Sequence, residues 1–184
     1  MIERLSAKLA QSLKDAIPDH PASVAKLKFG IHILLNTVLT IGVAVVLGLL
    51  IGDLAGVMTV LFGFALLRAF SGGIHVKIAL LCIVVSAGAA ALLALTRELS
   101  LPQPVFGWIS LISLLLVLVY APSRIAGQTR IPRRFYPHLK VLSLLIVASN
   151  FVIRSDLLAI AWFVQALTLI RPWKGGEHRA QKSA

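Results

Sequence analysis

Cysteine and acidic residues are what this sequence has least of. A single cysteine in 184 residues excludes any intramolecular disulfide, and only 7 Asp plus Glu stand against 18 Lys plus Arg, for a net charge of +11. Charged residues make up 14% of the chain, where a soluble domain carries about a quarter. No HExxH stretch and no glycine-rich phosphate loop appear. Five scattered histidines and one cysteine offer no zinc-ligand spacing, so no metal and no cofactor are expected. A pI near 10.7 ordinarily signals a basic groove for nucleic acid. Here 58% of the residues are hydrophobic, which leaves too little polar surface to build one, and nucleic acid is excluded as a partner. What the chain does have is hydrocarbon: its mean hydropathy of +0.91 places it in a membrane.

A helix needs about 20 apolar residues to cross ~30 Å of hydrocarbon. Six apolar segments are visible, near 31–51, 54–70, 77–95, 104–120, 139–153 and 156–170. The expected fold is therefore all-α, a polytopic helical membrane bundle of about six membrane segments. The segments at 54–70, 139–153 and 156–170 are short, so four full spans plus short or re-entrant helices is the alternative count. Sorting the basic residues by loop supports an even number: sixteen of the eighteen fall before the first segment, in the second and fourth connections, or in the tail. Arg97 and Arg154 are left in the alternate loops, beside Asp53, Glu98 and Asp156. Because Lys and Arg accumulate on the cytoplasmic side, both termini are predicted there.

The chain reads as one membrane domain over 1–184, with an amphipathic interfacial helix in 1–20, the bundle in 31–170 and a basic cytoplasmic tail in 171–184. The first segment is not read as a signal peptide. Ile2, Leu5, Leu9, Leu13, Ala16 and Ile17 recur at helical spacing against Glu3, Arg4, Lys8, Lys14 and Asp15. That pattern suits a helix lying on membrane lipid or one packed on the cytoplasmic loops.

The stretch with chemical content runs from Arg68 through Ser71, Gly72, Gly73, His75 and Lys77 to Cys82. Polar and ionisable groups at membrane depth are costly and so are functional candidates. On one unbroken helix, residues seven apart share a face but lie about 10 Å apart along the axis. A Cys-His pair needs hydrogen-bonding reach. Glycine tolerates positive φ, so Gly72 and Gly73 are expected to break the helix, placing His75 in or beside a loop and Cys82 in the first turns of the next helix, facing inward. Arg68 and Lys77 would then favour thiolate. The Gly72 and Gly73 amides are candidates for an oxyanion site, with a simple tight turn as their other role. Asp53, Glu98 and Asp156 all map to the outer face, so a Cys-His dyad is expected. Its orienting group would be a backbone carbonyl or a side chain such as Asn36 or Ser86.

At these residues the sequence resembles the accessory gene regulator B (AgrB) family of bacterial membrane cysteine endopeptidases. The resemblance rests on the spacing of Arg68, Gly72-Gly73, His75 and Cys82, on Lys77, and on Tyr120-Ala121-Pro122 before a basic loop; it covers most of the chain. It implies a homodimer in the bacterial cell membrane with its site on the cytoplasmic side, and an AgrD-like precursor peptide with an acidic C-terminal tail as substrate. Cys82 would be the nucleophile and His75 the general base in removing that tail, leaving a thioester that cyclises to a thiolactone or lactone for quorum sensing. Arg124, Arg130, Arg133, Arg134 and Lys140 would hold the acidic tail, or simply follow the positive-inside bias and meet anionic lipid. The competing reading is a small membrane transporter or peptide-export component in which Cys82 is passive packing; a weaker one is a membrane scaffold.

Elsewhere, Gly48, Gly52 and Gly56 form two small-xxx-small steps that could mark a dimer contact. His32, Asn36, Asn150 and Gln165 are polar residues inside apolar runs, read as interhelical hydrogen-bonding groups, and Trp108, Trp162 and Trp173 as interfacial or packing aromatics.

Overall fold

A computed structural model of the chain describes residues 2–18, 21–74, 78–98, 101–123 and 132–170. Among these the regular elements are helices: α1 (Ile2–Ala16), α2 (Val24–Leu50), α3 (Leu54–Ser71), α4 (Ala79–Ala94), α5 (Gln103–Tyr120), α6 (Tyr136–Ile153) and α7 (Asp156–Leu167). Short 3-10 turns follow α4 and precede α6, and one isolated bridge pairs Gly72 with Ser123.

Among the described residues five helices, α2 to α6, are long and apolar enough to cross a membrane, α4 when counted on through its 3-10 turn to Arg97; α7, at 12 residues, is not. Large apolar side chains point away from the protein, Val152 at 85% exposure and Leu50 at 76%. In water such a surface would aggregate, so the chain is a multi-pass helical membrane protein. The expected segments correspond to α2 to α7, with two boundary differences. The first helix begins at Val24, not near 31, because Ser23 caps its N-terminus by accepting from the Lys26 amide at 3.4 Å. Lys26 and Lys28 do not stop a helix; they only mark where hydrocarbon ends. The last helix stops at Leu167, leaving a span of about 18 Å, short of the hydrocarbon thickness.

The described chain forms two compact units, one of residues 1–61 and 75–95, the other of 62–74 and 96–184. In the first, α1 and α4 both pack on α2. α1 buries Ser6 and Ala10 while Leu5, Leu9, Leu13 and Ile17 stay exposed as a stripe, the arrangement expected of a helix lying in a lipid interface. α4 buries Ile83, Ala87, Ala90, Ala91 and Ala94. Gly48 lets α2 approach α3, since a Cβ there would lie 2.9 Å from Leu54 Cα. Asp53 then caps α3, its Oδ1 accepting from the Gly56 amide at 2.9 Å. The three glycines suspected of marking a dimer face therefore have intramolecular uses. Gly48 is a helix contact, Gly52 takes φ +75° in the turn, and Gly56 leaves room for the Asp53 carboxylate.

In the second unit, Leu67, Val117, Ala121, Val147, Trp162, Ala166 and Leu169 form a buried cluster. The α5 stripe Phe106, Ser110, Ser113, Val117 and the α6 stripe Leu139, Ser143, Val147, Asn150 bury small residues, as close helix pairs in lipid do. Trp162 donates its indole N–H to the Gly63 carbonyl at 2.9 Å, tying α7 to α3. Asn150 exchanges two 3.1 Å bonds with the backbone of Ser155 across the tight α6–α7 turn, where Arg154 is left-handed.

Candidate functional site

The helix break expected at the glycine pair is present. α3 ends at Ser71, and Gly72 and Gly73 take φ of +75° and +125°. Only glycine reaches +125° without strain, and a Cβ on Gly73 would meet Thr168 Oγ1 at 2.7 Å.

The backbone around this break is held at successive residues. Gly72 N donates to Arg68 O at 2.9 Å, and Gly73 N donates to Ser123 O at 3.0 Å. Ser123 N donates to Ser71 O at 2.9 Å, completing a two-bond bridge between the end of α3 and the segment after α5. Gln165, on α7, donates from Nε2 to Gly72 O at 2.7 Å and to Ser71 Oγ at 3.3 Å. The Ser123 hydroxyl donates to Leu169 O at 3.1 Å, satisfying a carbonyl just past the end of α7. Arg68, half-buried, donates from its guanidinium to Ile74 O and lies 6.0 Å from the Phe64 ring. Ser71, Ser123 and Gln165 are fully buried. Buried polar groups are tolerated when hydrogen-bonded, and here each finds a partner.

Both glycine amides are thus engaged by protein carbonyls. Their expected oxyanion role has no free donor in this conformation, and the turn role is the one observed.

Cys82 lies in the first turn of α4, its amide donating to Ile78 O at 2.9 Å. The buried stripe of α4 runs through Ile83 and Ala87, so Cys82 does not face fully inward: it sits half-buried at the stripe's edge, and Ser86 follows one turn later with the same partial exposure. The reason is rotational, since a buried stripe through positions 83, 87, 90 and 94 puts residue 82 about 100° off its axis. On α2, His32 Nδ1 and Asn36 Oδ1 are buried without hydrogen-bond partners.

The structure therefore gathers Arg68, Gly72 and Gly73 into one arrangement and places Cys82 and Ser86 along one helix. His75 and Lys77 lie outside the described residues, as do Arg124, Arg130 and the side chain of Arg133. Arg134 is exposed and lies 5.0 Å from the Phe135 ring, and Lys140 is half-buried on α6. Among the described residues no group of His, Cys, Asp or Glu could hold a metal ion. In the sequence Gln165 reads as one interhelical hydrogen-bonding group among several, and nothing marks Ser123. A buried glutamine one turn from the end of an apolar run was the available signal, but nothing local named its partner 93 residues away.

Compared with known proteins, the chain matches a family model, accessory gene regulator B, over residues 2–171. No curated protein and no solved structure matches it.

Proposed function

The chain belongs to the accessory gene regulator B family, whose role is processing of the precursor peptide of agr quorum sensing, and on that footing we propose that it is a membrane cysteine endopeptidase acting through Cys82 and His75. The observation that carries this reading is where α4 begins. Because the helix starts at Ala79, residue 75 precedes it, and the seven-residue separation is not a rigid helical rise that would hold the two side chains about 10 Å apart. Cys82, in the helix's first turn and half-buried, is open to a partner coming from that link.

In this mechanism His75 takes the thiol proton of Cys82, and the thiolate attacks the carbonyl at the start of the precursor's acidic tail. The tetrahedral intermediate collapses, the peptide C–N bond breaks, and the imidazolium returns its proton to the departing amine. The new C-terminus remains on Cys82 as a thioester. An internal Cys or Ser of the peptide then attacks that thioester; its C–S bond to Cys82 breaks, the ring closes as thiolactone or lactone, and Cys82 regains its proton. A thioester is a balanced donor for such exchange as long as water is kept away, which a membrane-embedded site does. His75 would be oriented by a backbone carbonyl, Asn36 or Ser86, and Lys77 would favour thiolate. Arg124, Arg130, Arg133, Arg134 and Lys140 would receive the acidic tail on the cytoplasmic side, with the working form a homodimer.

Co-expression with a precursor carrying an amphipathic start, a central Cys or Ser and an acidic tail tests the reading. Cys82→Ala is expected to abolish tail removal, and Cys82→Ser to reduce it by at least about a hundredfold, the range seen when a nucleophile is weakened. Tail removal that survives Cys82→Ala would overturn the peptidase and leave the export-component reading standing.

A further inference from the structure

We propose that the start of α6 carries a headgroup site for an anionic phospholipid, formed by Arg134, Phe135 and His138. The inference stands apart from the peptidase reading and holds whether or not Cys82 reacts; of the five basic residues weighed for the acidic tail, it assigns Arg134 to lipid. The sequence supplies the charge. From Arg124 to Ser155 the chain carries no Asp or Glu, so the basic groups there have no acidic neighbour along the chain to neutralise them.

Local structure gathers the three side chains. The Phe135 amide donates to Pro132 O at 3.0 Å, closing the 3-10 turn that carries Arg134. The Arg134 guanidinium lies 5.0 Å from the centre of the Phe135 ring, and the His138 ring lies 6.2 Å from the same ring, their planes 55° apart. A cation over an aromatic face is held there by the ring's quadrupole, so Phe135 keeps the guanidinium and the imidazole as neighbours. All three residues are exposed. A guanidinium offers paired N–H groups that match two phosphate oxygens, and an imidazole donates an N–H in either protonation state.

Helix geometry selects the partner. α6 buries the stripe Leu139, Ser143, Val147 and Asn150. His138, Val141, Leu145 and Val152 recur at the same helical spacing on the opposite side, and all four are exposed. The apolar part of that row meets hydrocarbon when α6 crosses a membrane, which puts His138 at its foot, at the level of the headgroups. A phospholipid presents both chemistries in this order, phosphate at the boundary and acyl chains along the row above it. An acidic peptide in water matches the charges and leaves the apolar row unused. Lys140 supplies the contrast: two residues past His138, it is turned about 200° around the helix and is half-buried, off the lipid-facing row.

The test titrates the full chain in detergent with phosphatidylglycerol or with zwitterionic phosphatidylcholine and counts bound lipid by native mass spectrometry. The parent should bind its first phosphatidylglycerol at least about tenfold more tightly than phosphatidylcholine. Arg134→Gln should weaken that tightest binding about tenfold, and His138→Ala and Phe135→Leu about threefold each. Lys140→Ala, which removes a charge from the same end of α6, should stay within about twofold of the parent. Equal affinity of the parent for the two lipids overturns the site. So does a double variant, Arg134→Gln with His138→Ala, that binds phosphatidylglycerol within about twofold of the parent. A loss in Lys140→Ala as large as that in Arg134→Gln overturns it as well, since diffuse charge would then explain the binding. Hexaglutamate that displaces the bound phosphatidylglycerol at equal concentration would give the patch to an acidic peptide instead. All three substituted side chains are exposed, and an unchanged thermal midpoint in phosphatidylcholine confirms that each variant is folded.

Discussion

The two units bury their helix faces by different chemistry. In the unit holding α1, α2 and α4, contacts run through small and apolar residues: Ser6 and Ala10 of α1, Ala44 and Gly48 of α2, and the alanines of α4. On α2 the Thr40 hydroxyl donates to Asn36 O at 2.7 Å, while His32 Nδ1 and Asn36 Oδ1 are buried and unbonded. The unit holding α5, α6 and α7 uses the same small-residue stripes but adds directed bonds: Trp162 to Gly63, Asn150 to Ser155, and Gln165 and Ser123 to the turn after α3. Only Ser110 Oγ, among the buried polar side-chain atoms described there, lacks a partner. Lipid gives helices no hydrophobic reason to associate, so close packing alone suffices to hold two helices together. Fixing the path of an irregular turn takes hydrogen bonds, because a turn has no ladder of its own to satisfy its backbone. The directed chemistry is accordingly concentrated where the backbone leaves the helix at Gly72.

That contrast can be broken by substitutions of graded effect. The largest is expected at the turn. Gly73→Ala combines a φ of +125° with a Cβ 2.7 Å from Thr168 Oγ1 and 3.2 Å from Gln165 Nε2, and strain plus overpacking should cost about 3 kcal/mol or more. Thermal unfolding in detergent should show a large loss; an unchanged midpoint would mean that the turn is not held as described. Next is Gly48→Ala in the other unit, where the new Cβ meets Leu54 Cα at 2.9 Å. Overpacking against backbone should cost about 2 kcal/mol, read by the same melt. A melt as stable as the parent, with oligomeric state altered, would return Gly48 to a dimer face. The smallest effect is expected for Asn36→Leu, which removes a buried oxygen that makes no bond. It should leave stability within about 0.5 kcal/mol of the parent or raise it. A loss comparable to that at the turn would erase the distinction between the units.

Much of the fold was legible because the bilayer imposes length and apolarity on each segment. The six apolar runs are visible in the sequence, and α2 to α7 correspond to them. The start of α2 was misplaced because the hydrophobic run and the helix are different things. Ser23 caps a helix that begins at Val24, two residues before Lys26, so Lys26 and Lys28 belong to its first turns and not to a charged loop. The glycine break was legible from Gly72-Gly73 alone, since an α-helix carries such a pair at a cost near 1 kcal/mol each. The orientation of Cys82 was not, because periodicity across an almost uniformly apolar helix marks no face. Its buried stripe appears only once α2 is packed against it.

By itself the sequence determined that this is a multi-pass helical membrane protein and where most of its helices turn, the break at Gly72-Gly73 among them, because these are consequences of local composition in a medium that tolerates few alternatives. Only the tertiary structure decided what holds that break. The partners of Ser71, Gly72 and Gly73 are Ser123 and Gln165, residues remote in the chain. A hydrogen bond is a relation between two positions in space, and spacing along the chain does not encode which distant helix end will supply the other half.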